Sequence, residues 1–578
     1  MITHLRLMNI QLQLLDVLLI IQICLEDTTV IFTTLQKLKV MDTKYELHGP
    51  ELSVPVSQDP IGKQLFENLL KHQHLHNALI DAVSGETVSY TTLLEKTCLL
   101  ANSFTNYGLK QNSVIGICSE NNLQFFYPVI AAMYLGATVT TFNPSYTIGE
   151  LIHTANVSKP QIIFCTKLTL PTVLKANIAP KLVVLDNNQN IDNTECLYQF
   201  IINYSTKGFT IKDFKPVFQS TEDVAFMLYS SGTTGLPKGV MLTHKNVNVK
   251  NAISRDPRYN RDTTAGSGCV IGLLPFYHAY GLFTTFHNIE LGKTVVVMRK
   301  FDEKSYLKTI QDYKITVLYL VPPLAVVLAK STLLDKYDLS SVVEVGCGAA
   351  PLGKETIEIL KTRLNLKHFL QAYGMTETTL GVISMPTDHE RDGSCGKVYP
   401  LTSVKVVDIE TGQALGPNQN GELCFKSDLI MKGYAGDEEA TKNVFDVDGW
   451  FHSGDIGYYD EDGFFYIVDR LKELIKYKGF QVPPAELGLI LLTHPKIKDA
   501  GVVGLPDELA GELPLAFIVR KNKSLTEDDV ENYIAGQVSP QKHLRGGVRF
   551  VNEIPRNPSG KILRRKLRDL LRQQKSKL

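Results

Sequence analysis

The sequence predicts an α/β protein with mostly parallel sheets. Two observations carry this: short apolar runs of strand length recur along the chain, and segments of helical periodicity fall between them. Ser113–Cys118 (SVIGIC), Gln161–Cys165 (QIIFC), Lys181–Leu185 (KLVVL) and Thr316–Leu320 (TVLYL) read as strands. In Gly62–His72, residues Leu65, Phe66, Leu69 and Leu70 share one stripe at helical spacing. A further strand-like run, Phe464–Val468, precedes Asp469-Arg470-Leu471-Lys472. No internal repeat or long low-complexity tract is visible.

Composition narrows the function classes. The chain has 578 residues, with 60 basic side chains against 60 acidic ones. Such a balance gives no general surface for nucleic acid or anionic membrane. Nine cysteines are scattered without a CxxC pair, which supports neither a zinc site nor a disulfide framework. A reducing compartment fits that usage.

The two ends carry separate signals. Ile10–Cys24 is mostly apolar but short for a membrane span, and Asp16 interrupts it. No small-residue cleavage site follows it. The expectation is an extension over residues 1–40 without a packed role; a membrane or targeting segment is the alternative. At the other end, Ser576-Lys577-Leu578 reads as a receptor-recognised peroxisomal address.

The densest chemistry lies in Tyr229–Val240, YSSGTTGLPKGV, directly after the apolar run Val224–Leu228. Glycines allow positive φ and close backbone approach. The N–H groups of such a turn make an anion-binding concavity. Ser230, Ser231, Thr233 and Thr234 add hydroxyls and Lys238 adds charge, which together suit a polyphosphate. The pattern is not G-x-x-x-x-G-K-[ST], because Pro237 precedes the lysine and Gly239 follows it. A flexible hairpin tip is the bland alternative for this loop taken alone.

Four further motifs follow in order: QAYGMTET (Gln371–Thr378), GWFHSGD (Gly449–Asp455), DRLKELIKYKGFQV (Asp469–Val482) and PRNPSGKILRRKL (Pro555–Leu567). With these five motifs the chain, from about Met41 onward, resembles the adenylate-forming superfamily: acyl-CoA synthetases, 4-coumarate–CoA ligases and beetle luciferases. LPFYHAYGLFTT (Leu274–Thr285) and the terminal SKL are similar to the insect branch of luciferases and fatty acyl-CoA synthetases. The resemblance implies a large N-terminal domain of β-sheets flanked by helices, over 41–468. It also implies a hinge at 469–472 and a small mobile α+β C-terminal domain over 473–578.

The resemblance also implies a two-step reaction. A carboxylate attacks the α-phosphate of ATP, giving an acyl-adenylate and pyrophosphate; the thiol of coenzyme A then takes the acyl group and releases AMP. Such a reaction needs positioning and charge neutralisation rather than a covalent nucleophile. On this reading Ser230, Ser231, Gly232, Thr233, Thr234 and Lys238 hold the β- and γ-phosphates. Thr376 contacts the α-phosphate and Glu377 holds Mg²⁺, which is satisfied by one carboxylate with waters and phosphate oxygens. Gly348, Ala349, Ala350, Gln371, Tyr373 and Gly374 border the adenine. Asp455 accepts from the ribose hydroxyls, and Arg470 and Lys472 lie on the nucleotide side of the hinge. Lys561 bridges carboxylate and α-phosphate, whereas Lys476 enters the site when the small domain rotates for the second half-reaction. Lys300, Lys478 and Gly479 align with coenzyme A contacts.

His278, Arg255, Tyr280, Leu380 and Gly381 match positions around the acyl group. Two residues depart from the luciferase pattern: Leu380 replaces a small polar residue and Ala372 replaces glycine. Leu380 favours an aliphatic acid of medium to long chain over a heteroaromatic luciferin. The alternatives are a luciferase, a 4-coumarate-type ligase and an inert scaffold; the complete set of charged motif residues speaks against the last. The partners expected are a small carboxylic acid, ATP, coenzyme A and the peroxisomal import receptor, with no nucleic acid and no stable membrane span.

Overall fold

A computed structural model describes residues 44–575, except 192–193, 231–235, 260–267, 367, 479 and 558–559. Ser231, Gly232, Thr233, Thr234, Gly479 and the terminal Ser576, Lys577 and Leu578 therefore lie outside the described residues, as does the extension over 1–40.

The apolar runs form strands at Val114–Cys118, Ile162–Cys165, Leu182–Val184 and Val317–Leu320, and the striped segment forms a helix at Ile61–His72. The first three strands belong to an eight-stranded sheet with Thr138–Phe142 and Val224–Ser230, all five parallel to their neighbours in that set. On either side of the glycine-rich motif, Lys238–Thr243 pairs antiparallel with Val224–Ser230. A nine-stranded sheet has a parallel centre: His368–Tyr373, Glu344–Cys347, Val317–Leu320, Cys269–Gly272, Thr294–Val297 and Asn77–Asp81. One hydrophobic core joins the two sheets, with Ile115, Val139 and Phe226 from the first and Leu79, Val270 and Val295 from the second. The helix Phe126–Leu135 lies in it, buried at all ten positions. Its large side chains, among them Phe126, Val129, Ile130, Met133 and Leu135, each contribute about 1.5–3 kcal/mol of burial, so this element anchors the domain.

A five-stranded antiparallel sheet carries Gly421–Ser427, Phe451–Tyr459 and Phe465–Arg470. The last of these strands runs past Val468. Asp469 pairs with Ile456 and Arg470 with Asp455, so the first two residues of the expected hinge are held in a ladder. The smaller C-terminal domain has its own sheet, centred on Ile497–Asp507 and Gly511–Arg520, and its own core around Leu487, Val502, Ala516 and Ile534. The fold is thus a large α/β domain followed by a small α+β one. Among the described residues, no helix is long and apolar enough to cross a membrane.

Candidate active site

Parallel sheets present ligand-binding loops at the carboxyl ends of their strands, and the motifs sit there. Ser230 ends its strand, Gly348-Ala349-Ala350 follows Cys347, Gly374–Glu377 follows Tyr373, and His278 lies six residues after Gly272. Ser230 and Lys238 face each other as cross-strand partners at the two ends of the glycine-rich motif.

Lys238 and Glu377 meet through Tyr434. The Lys238 ammonium lies 4.8 Å above the Tyr434 ring. The Tyr434 hydroxyl donates to Glu377 Oε1 at 3.0 Å. Glu377 is buried, on a short 3₁₀ turn, Thr376–Thr378, which places Thr376 beside it. Burial, with the Glu377 carboxylate next, keeps the Tyr434 hydroxyl protonated and donating. Tyr434 carries no motif signal; it reaches this position because Gly433–Tyr434 pairs with the strand Lys238–Thr243.

The turn before Glu377 requires glycine at 374. A Cβ there would stand 1.8 Å from the Leu380 carbonyl oxygen. The chain returns through Thr379 (φ 50°) and Leu380 (φ 96°), both in the left-handed region. Leucine at such a φ is strained by about 1–2 kcal/mol, a distortion characteristic of functional turns. Leu380 is half-buried and packs, with Met375, against the main core, to which Ala279, Leu282 and Phe283 belong.

Asp455 is the centre of a second group. The Tyr373 hydroxyl donates to its Oδ2 at 2.8 Å, and Arg470 Nε lies 3.2 Å from its Oδ1. The arginine approaches off the hydrogen-bonding direction, so Oδ1 is buried without a hydrogen bond. A buried carboxylate oxygen lacking a donor is costly, and this oxygen can accept from a hydroxyl brought to it. Gln371 donates to the Ser394 carbonyl at 3.0 Å. The Tyr280 hydroxyl donates to the Gly346 carbonyl at 3.1 Å, beneath Gly348. A Cβ on Gly348 would lie 3.4 Å from the Ala372 carbonyl and one on Gly381 3.2 Å from the Tyr399 ring, so the strand ends approach closely. Ala349 takes φ 74° in this turn.

His278 lies at the start of the helix Ala279–Glu290. Its Nε2 is buried without a hydrogen bond. Burial holds the imidazole neutral, with its pKa lowered to about 4.

The small domain contributes Lys561. Its turn is closed by Lys561 N–H donating to Asn557 Oδ1 at 2.8 Å and by Arg556, which donates to the Gly560 carbonyl and pairs with Asp499. Gly560 takes φ 81°, and a Cβ on it would lie 3.0 Å from the Pro323 ring of the large domain. Lys330 of the large domain donates to the Leu492 carbonyl of the small one at 3.2 Å. The small domain is therefore docked against the large one at Pro323 and Lys330, and Arg470 and Asp455 act on the Lys561 ammonium through their charges. Burial, then Arg470, lowers the Lys561 pKa to about 8, with Asp455 and Glu473 opposing.

Lys476, Lys478 and Lys472 are exposed. Lys476 sits on the strand Ile475–Tyr477, its N–H donating to Glu512. Lys300 is exposed as well. Arg255 is engaged: its guanidinium pairs with the buried Glu290 at 2.6 Å, and Glu290 also accepts from Asn68 and Asn251. Lys250, five residues before Arg255 on the same helix, is buried and donates to the Phe283 carbonyl at 3.3 Å. It has no motif in the sequence and is found only from the packing.

The fold, with Lys238 and Glu377 joined through Tyr434 and Asp455 held by Tyr373 and Arg470, is that of an adenylate-forming enzyme. The chain belongs to the AMP-binding enzyme family, whose main domain matches residues 66–435 and whose C-terminal domain matches 487–561. It is 47% identical over 549 residues to luciferin 4-monooxygenase of Photuris pensylvanica, covering 93% of this chain and 100% of that protein. It is 38% identical to 4-coumarate–CoA ligase of Vanilla planifolia, covering 90% and 94%. The crystal structure of ATP-bound MatB from Rhodopseudomonas palustris superposes with a TM-score of 0.77 at 27% identity, covering 88% and 98%.

Proposed function

We propose that this protein is an ATP- and coenzyme A-dependent acyl-CoA synthetase for medium- to long-chain aliphatic acids, and that it works in the peroxisome. The observation that carries the choice of acid is Leu380. It presents an apolar side chain, without hydrogen-bonding capacity, next to the Glu377 turn and against the core that holds the helix after His278. An aliphatic chain gains contact there, and a polar heteroaromatic acid loses a partner.

The residues divide the work. Lys238 and the loop hydroxyls hold the β- and γ-phosphates, Thr376 the α-phosphate, and Asp455 Oδ1 the ribose. Glu377 would hold Mg²⁺, which supplies charge neutralisation on the phosphate oxygens. His278 Nε2 and Lys561 orient the substrate carboxylate for attack at the α-phosphorus, with pyrophosphate leaving. Rotation of the small domain then withdraws Lys561 and brings in Lys476, while Lys300, Lys478 and Gly479 take coenzyme A.

The likeness to the Photuris enzyme favours a second reading, a luciferin monooxygenase that shares the adenylation step. An acid panel separates the two: AMP release with fatty acids, 4-coumarate and luciferin, in parallel with light output in air. Fastest AMP release with a saturated fatty acid and little light supports the synthetase. Strong light with luciferin overturns it.

A further inference from the structure

On the five-stranded sheet, Cys424 and His452 are direct cross-strand partners, and Glu422 lies two residues before Cys424. The ligand atoms of all three lie within 4.8 Å of one another. Cys424 Sγ is 3.5 Å from His452 Nδ1, and Glu422 Oε2 is 2.8 Å from the same nitrogen. A tetrahedral zinc ion, with bonds of about 2.0–2.3 Å, holds nitrogen and sulfur about 3.6 Å apart and nitrogen and oxygen about 3.4 Å apart. The sulfur–nitrogen spacing is thus already that of two ligands, and the carboxylate needs a retreat of about half an ångström.

The surroundings complete the picture. Asp446 Oδ2 lies 3.8 Å from the other ring nitrogen, Nε2; a small approach would make the carboxylate–histidine hydrogen bond that orients metal-bound imidazoles. Glu422 Oε1 is fixed by the Gly454 N–H at 2.9 Å. The cysteine is fully buried, while the histidine side chain is 32% exposed and gives an ion a way in. Lys405 opposes a cation, but its ammonium is paired with Asp446 at 3.6 Å and lies 4.8 Å over the Trp450 ring.

We propose that Glu422, Cys424 and His452 form a site for a thiophilic divalent cation of the zinc class, with solvent in the fourth position and Asp446 steadying the histidine. On binding, the thiol proton passes to solvent as the metal–sulfur bond forms, and Nδ1 gives up its proton as the metal–nitrogen bond forms, the neutral imidazole keeping its one proton on Nε2. The site is separate from Glu377 and differs from it in kind: sulfur and imidazole select zinc-class ions, and magnesium takes oxygen donors. The sequence, lacking a CxxC pair, gave no sign of it; the strand register creates it.

The test is titration of the full chain with Co²⁺ alone, read by absorption. One equivalent should give a sulfur-to-cobalt charge-transfer band in the near ultraviolet, and excess Mg²⁺ should leave that band in place. Cys424→Ser should remove the band, and His452→Ala should weaken cobalt binding at least tenfold by calorimetry, with both variants retaining the wild-type circular dichroism. Should Cys424→Ser misfold, the more exposed His452 variant decides. Absence of the band, its persistence in Cys424→Ser, undiminished affinity in His452→Ala, or displacement by Mg²⁺ would overturn the assignment.

Discussion

The Tyr373 hydroxyl holds one oxygen of Asp455 at 2.8 Å and leaves the other buried and without a hydrogen bond. The tyrosine thereby orients the carboxylate and leaves Oδ1 able to accept a further donor. A hydrogen bond to a charged group contributes about 1.5–3 kcal/mol, so Tyr373→Phe should raise the KM for ATP by roughly tenfold or more. Asp455→Ala should cost more, since both contacts go. Initial rates of pyrophosphate exchange against ATP concentration measure this; an unchanged KM in both variants would remove Asp455 from the nucleotide site.

Lys561 and Lys476 should separate the half-reactions, because the structure docks one and leaves the other exposed. Lys561→Ala should abolish adenylation, yet a supplied acyl-adenylate should still react with coenzyme A. Lys476→Ala should spare adenylation and slow thioester formation. Equal loss of both steps in both variants would refute a domain with two working faces.

The docked lysine also predicts a pH dependence. Its pKa falls from 10.5 in a free side chain to about 8 here, mainly through burial. Adenylation needs the ammonium, so its rate should fall as pH rises through about 8. The stability sign is opposite. Between about 8 and 10.5 the unfolded chain binds a proton that the docked lysine has lost, so this group opposes folding fully below that window and progressively less across it. Pyrophosphate exchange from pH 7 to 9, wild type beside Lys561→Arg, reads the first effect; a profile flat across pH 8 would contradict it.

Much of this was legible in the sequence, for definable reasons. Runs such as QIIFC and TVLYL are strands because a buried parallel strand is apolar along its length. Gly374 was named from its motif as a neighbour of the adenine; that the turn leaves no room for a Cβ there comes from the structure alone. The roles of Tyr434, Lys250 and Pro323 were not legible. Each acts through a contact set by sheet pairing, helix packing or domain docking, across sequence separations that no local pattern records. Arg255 shows the converse: its motif position suits a pocket wall, and the buried Glu290, which no motif marks, engages its guanidinium.

The docking contact itself can be tested at Gly560. Alanine there would strain a φ of 81° and press against Pro323. Gly560→Ala should slow adenylation by an order of magnitude or more and leave thioester formation from a supplied adenylate near wild type. Partial recovery in Gly560→Ala with Pro323→Ala would attribute the loss to docking; no recovery would attribute it to the turn alone.

Removal of Ser576-Lys577-Leu578 should leave catalysis unchanged and disperse a tagged protein into the cytosol. Retention in peroxisomes would show that another signal directs it.

Leu380 should decide acid choice. Its side chain is half-buried beside Met375 on the Glu377 turn, and its backbone is held at φ 96° by the close return of the chain over Gly374. Two consequences follow from replacing it with serine. The apolar contact is lost, at about 1–3 kcal/mol for a buried side chain of this size, which lowers use of an aliphatic acid by roughly 10- to 200-fold. A hydroxyl and free volume appear at the same point, which a heteroaromatic acid can use. Leu380→Ser should therefore lower dodecanoate-dependent AMP release and raise luciferin-dependent light. Leu380→Gly separates chemistry from backbone: it relieves the left-handed strain and opens the same volume without a hydroxyl, so it should lose fatty-acid activity and gain less light than serine. If both variants keep the wild-type ratio of the two substrates, Leu380 does not line the acyl pocket, and the choice of an aliphatic acid loses its support.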